Sequence, residues 1–449
     1  MPRIENQIAS TLRIAVGLVV VYLVIGSGFA LLMPPWETPD APSHYLYLRH
    51  VFLQRTLPLP ADKITGSTYP AMLYEWHHPP LYYIIQSGVM RLTGGTRLLV
   101  GDPELVLSPE FSFATPSARY EVPPWPWWTA HPSYAVVLRL RLSNLLFFGL
   151  PIILIVYWVG LRLFNKPLAG AVLAVVSVML PQSFFVHVSV QNDIAAILWS
   201  TAVWSIVIVT ASGSVALRWH HLMAVGALAT LGMVSKVNAF PTFVVAIVWA
   251  VVYGRKLGVV RALLLFGTPC VFALVVYLWF GFDHAVALLD TVLHDSIMPL
   301  PTTPMGLWAF TRILFASFWG RLGWMNVPLA PAFIIVFSVL SAINWLKGLI
   351  KFAFKTLPFD QVSQRHTFAW LVFGVILQLF FVYIVSMPLQ QPQGRFLFPA
   401  ILPLWLSVSW IVLSQEKFLR GWAGGLTMVS VLVFNLLTWY RLYEVYWAR

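Results

Sequence analysis

Met33-Pro34-Pro35-Trp36-Glu37-Thr38-Pro39-Asp40-Ala41-Pro42-Ser43-His44-Tyr45 follows directly on the apolar run Val16–Met33, and this junction decides how the chain is read. The apolar segment, from about Thr11 to Met33, reaches the roughly 20 residues a helix needs to cross a hydrocarbon core of about 30 Å. It is long and lacks a small-residue cleavage site, so it reads as a retained helix rather than a signal peptide. A second stretch, Tyr74-Glu75-Trp76-His77-His78-Pro79-Pro80-Leu81-Tyr82-Tyr83, has the same mixture of acids, histidines, aromatics and prolines. In a chain with only 16 acidic residues, Glu37, Asp40 and Glu75 together with His44, His77 and His78 concentrate proton-handling groups at one membrane face. That concentration marks the segment as a candidate active site.

The composition supports a membrane reading. The 449 residues are 59% hydrophobic and only 10% charged, which excludes a water-soluble globule, and no alternating pattern of barrel strands is visible. The expected fold class is an all-α polytopic membrane protein. Twenty-one Trp and 16 Tyr suit interfacial belts at helix ends. The single cysteine, Cys270, forms no intramolecular disulfide, so packing alone must hold the outer loops. The formal charge of +12 would suggest nucleic acid in a soluble protein. Here the basic residues punctuate apolar runs, which makes them topology signals and contacts to membrane lipids, with no nucleic-acid partner.

Arg3 and Arg13 precede the first helix, so the positive-inside bias puts the N-terminus in the cytoplasm and residues Pro34–His131 outside. This outer loop carries two amphipathic helices, near Ser43–Gln54 and Pro80–Leu92, the second too short for a span and therefore interfacial. Its remainder, Thr93–Pro132 with Glu121-Val-Pro-Pro-Trp-Pro-Trp-Trp128, reads as an aromatic cap over the membrane surface or the site. Further spans are expected at Ser133–Leu163, Pro167–Pro181, Asp193–Ala211, His221–Ser235, Phe240–Tyr253, Val259–Phe280, Val327–Leu346, Phe368–Pro388, Phe396–Leu413 and Trp422–Tyr440. With the first they make about eleven. This count puts Arg162 and Lys166, Arg218, Arg255, Lys256 and Arg261, Lys347, Lys351, Lys355 and Arg365, and Lys417 and Arg420 all on the cytoplasmic side. The acidic residues mirror them, all but Glu5, Asp360 and Glu416 falling outside. The chain thus divides into an N-terminal helix (1–33), an extracytoplasmic catalytic loop (34–132), core helices (133–280), a second outer loop containing Asp283, His284, His294 and Asp295 (281–326), and C-terminal helices (327–449).

Individual residues carry rival readings. Asp40 sits near a helix start, but Pro42 would make Ala41 the cap, so capping explains Asp40 incompletely and a general base is the preferred role. Glu37, His44, Glu75, His77 and His78 are chemically suited to zinc or manganese. Their spacing does not match a metalloprotease pair, and adjacent His77 and His78 should not point the same way. Hydrogen bonding or phosphate contact is therefore expected, with no cofactor and a divalent metal as the alternative. Lys236, Arg321 and Arg395 fall in outer turns against the charge bias, beside glycine and aromatics, where a lipid phosphate is the natural partner. Arg312 and Arg441 are read as snorkelling. Gln191-Asn192-Asp193 opens a helix at the outer end, with capping and hydroxyl binding as equal readings.

Taken together these residues resemble the GT-C superfamily of membrane glycosyltransferases, in particular bacterial relatives of protein O-mannosyltransferases and the lipid A aminoarabinose transferase. Trp36-Glu37-Thr-Pro-Asp40 is similar to the acidic motif of that superfamily's first outer loop, and His78-Pro79-Pro80-Leu81-Tyr82-Tyr83 to its Lys-Pro-Pro-Leu-x-Tyr element. Asn192-Asp193, Ser235-Lys236 and Gln393-Gly394-Arg395-Phe-Leu-Phe-Pro399 follow in the same order, and the Pro-Asp-x-Pro form is nearest to a branch with Pro-Asp-Glu-Pro. Two positions depart from the pattern, Ala41 for Glu and His78 for Lys. The resemblance implies a GT-C-like bundle and a polyprenyl-phosphate-linked sugar as donor. It also implies inverting transfer to a hydroxyl of an acceptor glycan, lipid or protein, with Asp40, assisted by Glu37, as catalytic residue. His44, Glu75, His77, His78, Tyr82, Asn192, Asp193, Lys236, Arg321 and Arg395 would bind substrate on the extracytoplasmic face of a bacterial cytoplasmic membrane. The rival readings are a transporter or flippase for lipid-linked glycans and a non-catalytic binding subunit. The scarcity of charge within the spans counts against the transporter, and Ala41 keeps the binding subunit open.

Overall fold

A computed structural model of the chain describes residues 2–59, 74–94, 105–255, 258–294, 305–353, 362–387, 390–415 and 422–448. The expectations for Lys256, Asp295, Lys355, Asp360, Glu416, Lys417 and Arg420 lie outside these residues.

Helix α1 (Pro2–Leu32) carries its apolar span from Ile8 to Leu32 and stops before the two prolines at 34 and 35. The carbonyls of Ala30, Met33 and Pro34 accept hydrogen bonds from the buried guanidinium of Arg141 (3.0 Å to Ala30, 2.7 Å to Pro34). Carbonyls left without partners at a helix C-terminus are thereby satisfied by a cation, which the helix dipole also favours. The chain then passes through Trp36 and Asp40, both with positive φ (65° and 63°), into α2 (Ala41–Gln54). A 3-10 turn, Tyr74–His77, precedes α3 (Leu81–Leu92). These short helices correspond to the two interfacial helices expected, and they pack through the stacked rings of Tyr47 and Tyr83, 3.7 Å between centroids.

Helices α4 (Pro132–Asn144) and α5 (Leu150–Phe164) form one 33-residue span joined by a π-helical turn at Leu145–Gly149. The span ends at Asn165 in the left-handed conformation, and Pro167 opens α6 (Pro167–Val178). Proline at the start of α7 (Pro181–Val188) breaks the next span, the two helices bending by 67°. There follow α8 (Asp193–Ala211), α9 (Trp219–Met233), α10 (Phe240–Gly254) and α11 (Val259–His294), the last kinked at Gly281. Helix α12 (Leu307–Gly320) leads into a minimal antiparallel ribbon of β1 (Arg321–Leu322) and β2 (Val327–Pro328). The chain ends with α13 (Pro331–Ala353), α14 (Val362–Ser386), a 3-10 segment (Gly394–Ala400), α15 (Ile401–Ser414) and α16 (Trp422–Tyr446).

Among the described residues nine helical segments are long and apolar enough to cross a membrane, ten when the bent α6–α7 pair counts as one. The remaining expected span, His221–Ser235, is present as α9, but its 15 residues fall short of a full crossing. The expected start of the Val327–Leu346 span is displaced because β2 takes Val327 and Pro328. Helix α8 lies at the centre, with 83% of its span buried, whereas only 6% of α13 and 11% of the spanning part of α11 are, so these two present their apolar sides to lipid. Close approach of α5 to α6 depends on small residues, since a Cβ on Gly160 would lie 2.7 Å from the Cα of Gly170.

At the end of the bundle where α1 stops, the 105–130 segment folds back on the helix ends. Leu107 and Tyr120 form a β-bridge. The indoles of Trp127 and Trp447 donate to the carbonyls of Leu31 (2.7 Å) and Leu32 (2.8 Å). The aromatic segment around Trp125–Trp128 thus lies against the ends of α1 and α16.

Candidate active site

Asp40 immediately precedes α2, so it, and not Ala41, occupies the cap position, and its carbonyl accepts from the His44 amide (3.0 Å). Its side chain makes no capping bond. The left-handed backbone turns the carboxylate away from the first helical turn, and Oδ2 accepts instead from Arg395 Nη2 at 2.8 Å. Capping therefore does not account for the residue. Arg395 comes from the 3-10 segment before α15, which presses against α12. A Cβ on Gly394 would sit 2.1 Å from the Phe318 nitrogen, and the Gly394 amide donates to Ser317 Oγ (2.8 Å). Only glycine fits there.

Asp193, the first residue of α8, is fully buried. Its carboxylate accepts from Lys236 Nζ (2.9 Å) and Asn238 Nδ2 (3.1 Å), and Arg395 Nε lies 3.6 Å away. Neither capping nor an open hydroxyl site describes it; a buried carboxylate surrounded by cations and an amide is compensated charge. Arg395 also donates through Nη1 to Gln191. Two of the three cations singled out by their disagreement with the charge bias, Lys236 and Arg395, thus meet around one internal acid, and Asp40 is the more exposed member of a balanced set of two carboxylates and two cations.

A second cluster adjoins it. His44 Nδ1 is 2.6 Å from the Tyr83 hydroxyl, and its ring stacks on that of His78 at 5.3 Å. His78 pairs with Glu75, and Tyr47 donates to the His78 carbonyl (3.1 Å). Burial lowers the His44 pKa well below that of an ordinary imidazole; Glu75 opposes this, while His78, Lys236 and Arg395 add to it. Burial alone would raise the Glu75 carboxyl, but His78 beside it, with His44 and His77, holds it below the usual carboxylate range. Because Lys236 and Arg395 act on His44, the two clusters form one electrostatic unit. One ligand atom from each of His44, Glu75 and His78 lies within 4.8 Å of the others. Two imidazoles and a carboxylate with an open fourth position fit a divalent ion such as zinc. The His77 and His78 rings lie side by side, 4.7 Å apart, against the expectation that they diverge, yet His77 is not part of that ligand group.

The structure does not bring every expected residue to this place. Glu37 is 1% exposed, and its Oε1 accepts from the amides of Arg119 (2.8 Å) and Tyr120 (2.9 Å). Burial pushes its carboxyl up to about 8, with those amides, the Arg119 charge and Tyr446 pulling the other way. It faces the 105–122 hairpin, not the Asp40–Arg395 pair. Arg321 lies on β1, its amide donating to Gln182 (3.2 Å), and its guanidinium makes no ion pair among the described residues. Tyr82 donates to Asn144 (3.3 Å) in a buried network with Gln86, whereas its neighbour Tyr83 reaches His44. Asn192 ties the start of α8 to the Ser235 carbonyl (2.9 Å) and so steadies the turn bearing Lys236. His284 donates to the Trp76 carbonyl (2.8 Å), anchoring the Tyr74–His77 turn to α11.

Gln191, read from the sequence as a cap or hydroxyl-binding residue, is instead an acceptor for Arg395, and Asn238 and Gln378 carry no role in the sequence reading. Gln378 bridges the carbonyls of Asn238 (3.2 Å) and Phe396 (2.7 Å), and so joins the turns that carry Lys236 and Arg395. The signal for it was an amide standing alone in the apolar part of α14.

No protein-family model and no curated protein matches the sequence. Solved structures do match. ArnT from Cupriavidus metallidurans, bound to undecaprenyl phosphate, aligns over 95% of this chain and 75% of its own length, at 11% identity with a TM-score of 0.54. The oligosaccharyltransferase of Archaeoglobus fulgidus, in complex with zinc and sulfate, aligns over 95% of this chain at 11% identity with a TM-score of 0.52. This chain spans about half (53%) of the archaeal protein. At such identity the likeness concerns architecture alone, a polytopic, all-α bundle of the kind seen in these two structures.

Proposed function

We propose that the chain transfers a sugar from a polyprenyl-phosphate carrier to an acceptor hydroxyl, with inversion, at the membrane face where α1 ends. The observation that carries this reading is the division of labour around Arg395. Asp193, fully buried, keeps Arg395 and Lys236 together, while Asp40, with 35% of its side chain exposed, is held by one terminal nitrogen of Arg395. The undecaprenyl phosphate on the structurally similar ArnT supports a lipid phosphate as ligand of these cations.

The donor phosphate displaces Asp40 from Arg395 Nη2, since charge-assisted bonds from a guanidinium to phosphate are strong and multidentate. Asp40 is thereby released to accept the proton of the acceptor hydroxyl. The acceptor oxygen attacks the anomeric carbon. The bond from that carbon to the phosphate oxygen breaks, and its electron pair stays on the phosphate. Arg395 and Lys236, oriented beforehand by Asp193, Gln191 and Asn238, stabilise the leaving phosphate. His44, Tyr83 and the Glu75–His78 pair border the same space and orient the sugar. A divalent ion held by His44, Glu75 and His78 would add positive charge beside the phosphate. Glu37 is a structural carboxyl in this account.

The bundle is read with its N-terminus in the cytoplasm of a bacterial cell, so that the 34–132 loop and the chemistry are extracytoplasmic. The acceptor is a glycan, lipid or protein hydroxyl, and the surrounding partners are membrane lipids. Binding of undecaprenyl phosphate to the purified protein tests the cation site. Arg395→Ala and Lys236→Met should each weaken it about tenfold or more, whereas Asp40→Asn, which removes the competing carboxylate, should keep or tighten it. Undiminished binding by Arg395→Ala would overturn the assignment.

A further inference from the structure

A cavity of about 760 Å³ opens on the other side of the Pro34–Asp40 stretch, between the 105–125 segment and the C-terminal turn of α16. Glu110, Glu121, Trp125, Tyr443, Tyr446 and Trp447 line it. Its size falls within the range of small-molecule sites. Trp125 is half exposed and is held edge-on by Trp128 (5.0 Å) and Trp447 (5.2 Å), so an aromatic surface is kept open to solvent in a fixed orientation. The inner wall reaches the far side of the loop that bears Asp40: Tyr446 lies beside the carboxyl of Glu37, which accepts from the Tyr120 amide and stands three residues before Asp40.

The chemistry of the lining narrows the occupant. Among the described residues two glutamates and no lysine or arginine line the cavity, which disfavours a phosphate or an acidic lipid headgroup. Exposed indole and phenol rings bind the apolar faces of pyranose rings, and carboxylates accept from their hydroxyls. The lipid-phosphate site around Arg395 has the opposite charge character. One molecule therefore presents a cationic cluster and an anionic, aromatic cleft on the two sides of a single loop.

We propose that this cleft is a carbohydrate subsite that holds neutral sugar residues of the acceptor remote from its reacting hydroxyl. The inference rests on the transferase reading for its role but not for its binding chemistry. The test is binding of trisaccharides of glucose, mannose and N-acetylglucosamine to the full-length protein in lipid nanodiscs, followed by tryptophan fluorescence and calorimetry. Donor turnover into water, without acceptor, is measured in parallel. At least one trisaccharide should bind, Trp125→Ala and the isosteric Glu121→Gln should each weaken it about tenfold, and both variants should retain donor turnover. Asp40→Asn should bind the trisaccharide as the wild type does. Binding of none of the three sugars, or of a lysine-rich peptide in their place, overturns the proposal. So does sugar binding that is lost in Asp40→Asn but unaffected in Trp125→Ala and Glu121→Gln. Sugar binding without any donor turnover would leave the cleft standing and remove the transferase reading.

Discussion

Two carboxylates three residues apart, Glu37 and Asp40, leave the same loop in opposite directions. Glu37 turns into the 105–122 hairpin, where it is 1% exposed and accepts from two backbone amides. Asp40 turns towards α8 and the 3-10 segment before α15, where it keeps 35% of its side chain exposed and meets a guanidinium. Amides fixed in a hairpin cannot be displaced without unfolding it, whereas a terminal nitrogen of an arginine can change partners. The first arrangement suits a structural tie; the second suits a group that must be freed and used.

The largest effect that tests this contrast is on the rate. Asp40→Asn should lower transfer by about 10²–10⁴-fold, the usual contribution of a general base, without loss of folded protein. Glu37→Gln, measured beside it, should stay within severalfold of wild type. Next in size is the effect on stability of the ion cluster. Lys236→Met leaves Asp193 buried with one cation fewer, and removing a partner from a buried pair costs about 3–5 kcal/mol. Its melting temperature in detergent should fall clearly, and the double variant Lys236→Met/Asp193→Asn should recover part of the loss. An unchanged melting temperature in Lys236→Met would show that Asp193 is not held as described.

The smallest effect is in the pH dependence of stability. The Glu37 carboxyl is raised from 4.5 to about 8 in the folded chain. The folded state therefore keeps a proton that the unfolded state loses above pH 4.5. Its contribution is fully present below that value and is lost as pH rises towards about 8. Wild-type melting temperature should decline across that window, and Glu37→Gln, which cannot ionise, should show a shallower decline. Equal slopes would remove the buried, protonated carboxyl from the account.

Much of the architecture was legible because hydropathy fixes where helices cross and proline fixes where they stop. The interfacial helices α2 and α3 followed from short apolar runs between prolines, and α6–α7 from Pro167 and Pro181. Lys236 and Arg395 stood out because each opposed the charge bias of its surroundings. What they oppose it for was not legible: the Asp40–Arg395 bond joins residues 355 positions apart, and Lys236–Asp193 joins residues 43 apart. The separate destination of Glu37 was hidden for the same reason, its partners Arg119 and Tyr120 being 82 and 83 residues away. A motif reading keeps neighbouring carboxylates together, while a left-handed backbone at Asp40 sends them apart.

The most direct test of the central claim is release of polyprenyl phosphate from a panel of polyprenyl-phosphate sugars by wild type, Asp40→Asn and Glu37→Gln side by side. The account predicts release by wild type and Glu37→Gln at comparable rates and near-complete loss in Asp40→Asn. Turnover by Asp40→Asn at the wild-type rate, or loss confined to Glu37→Gln, would contradict it.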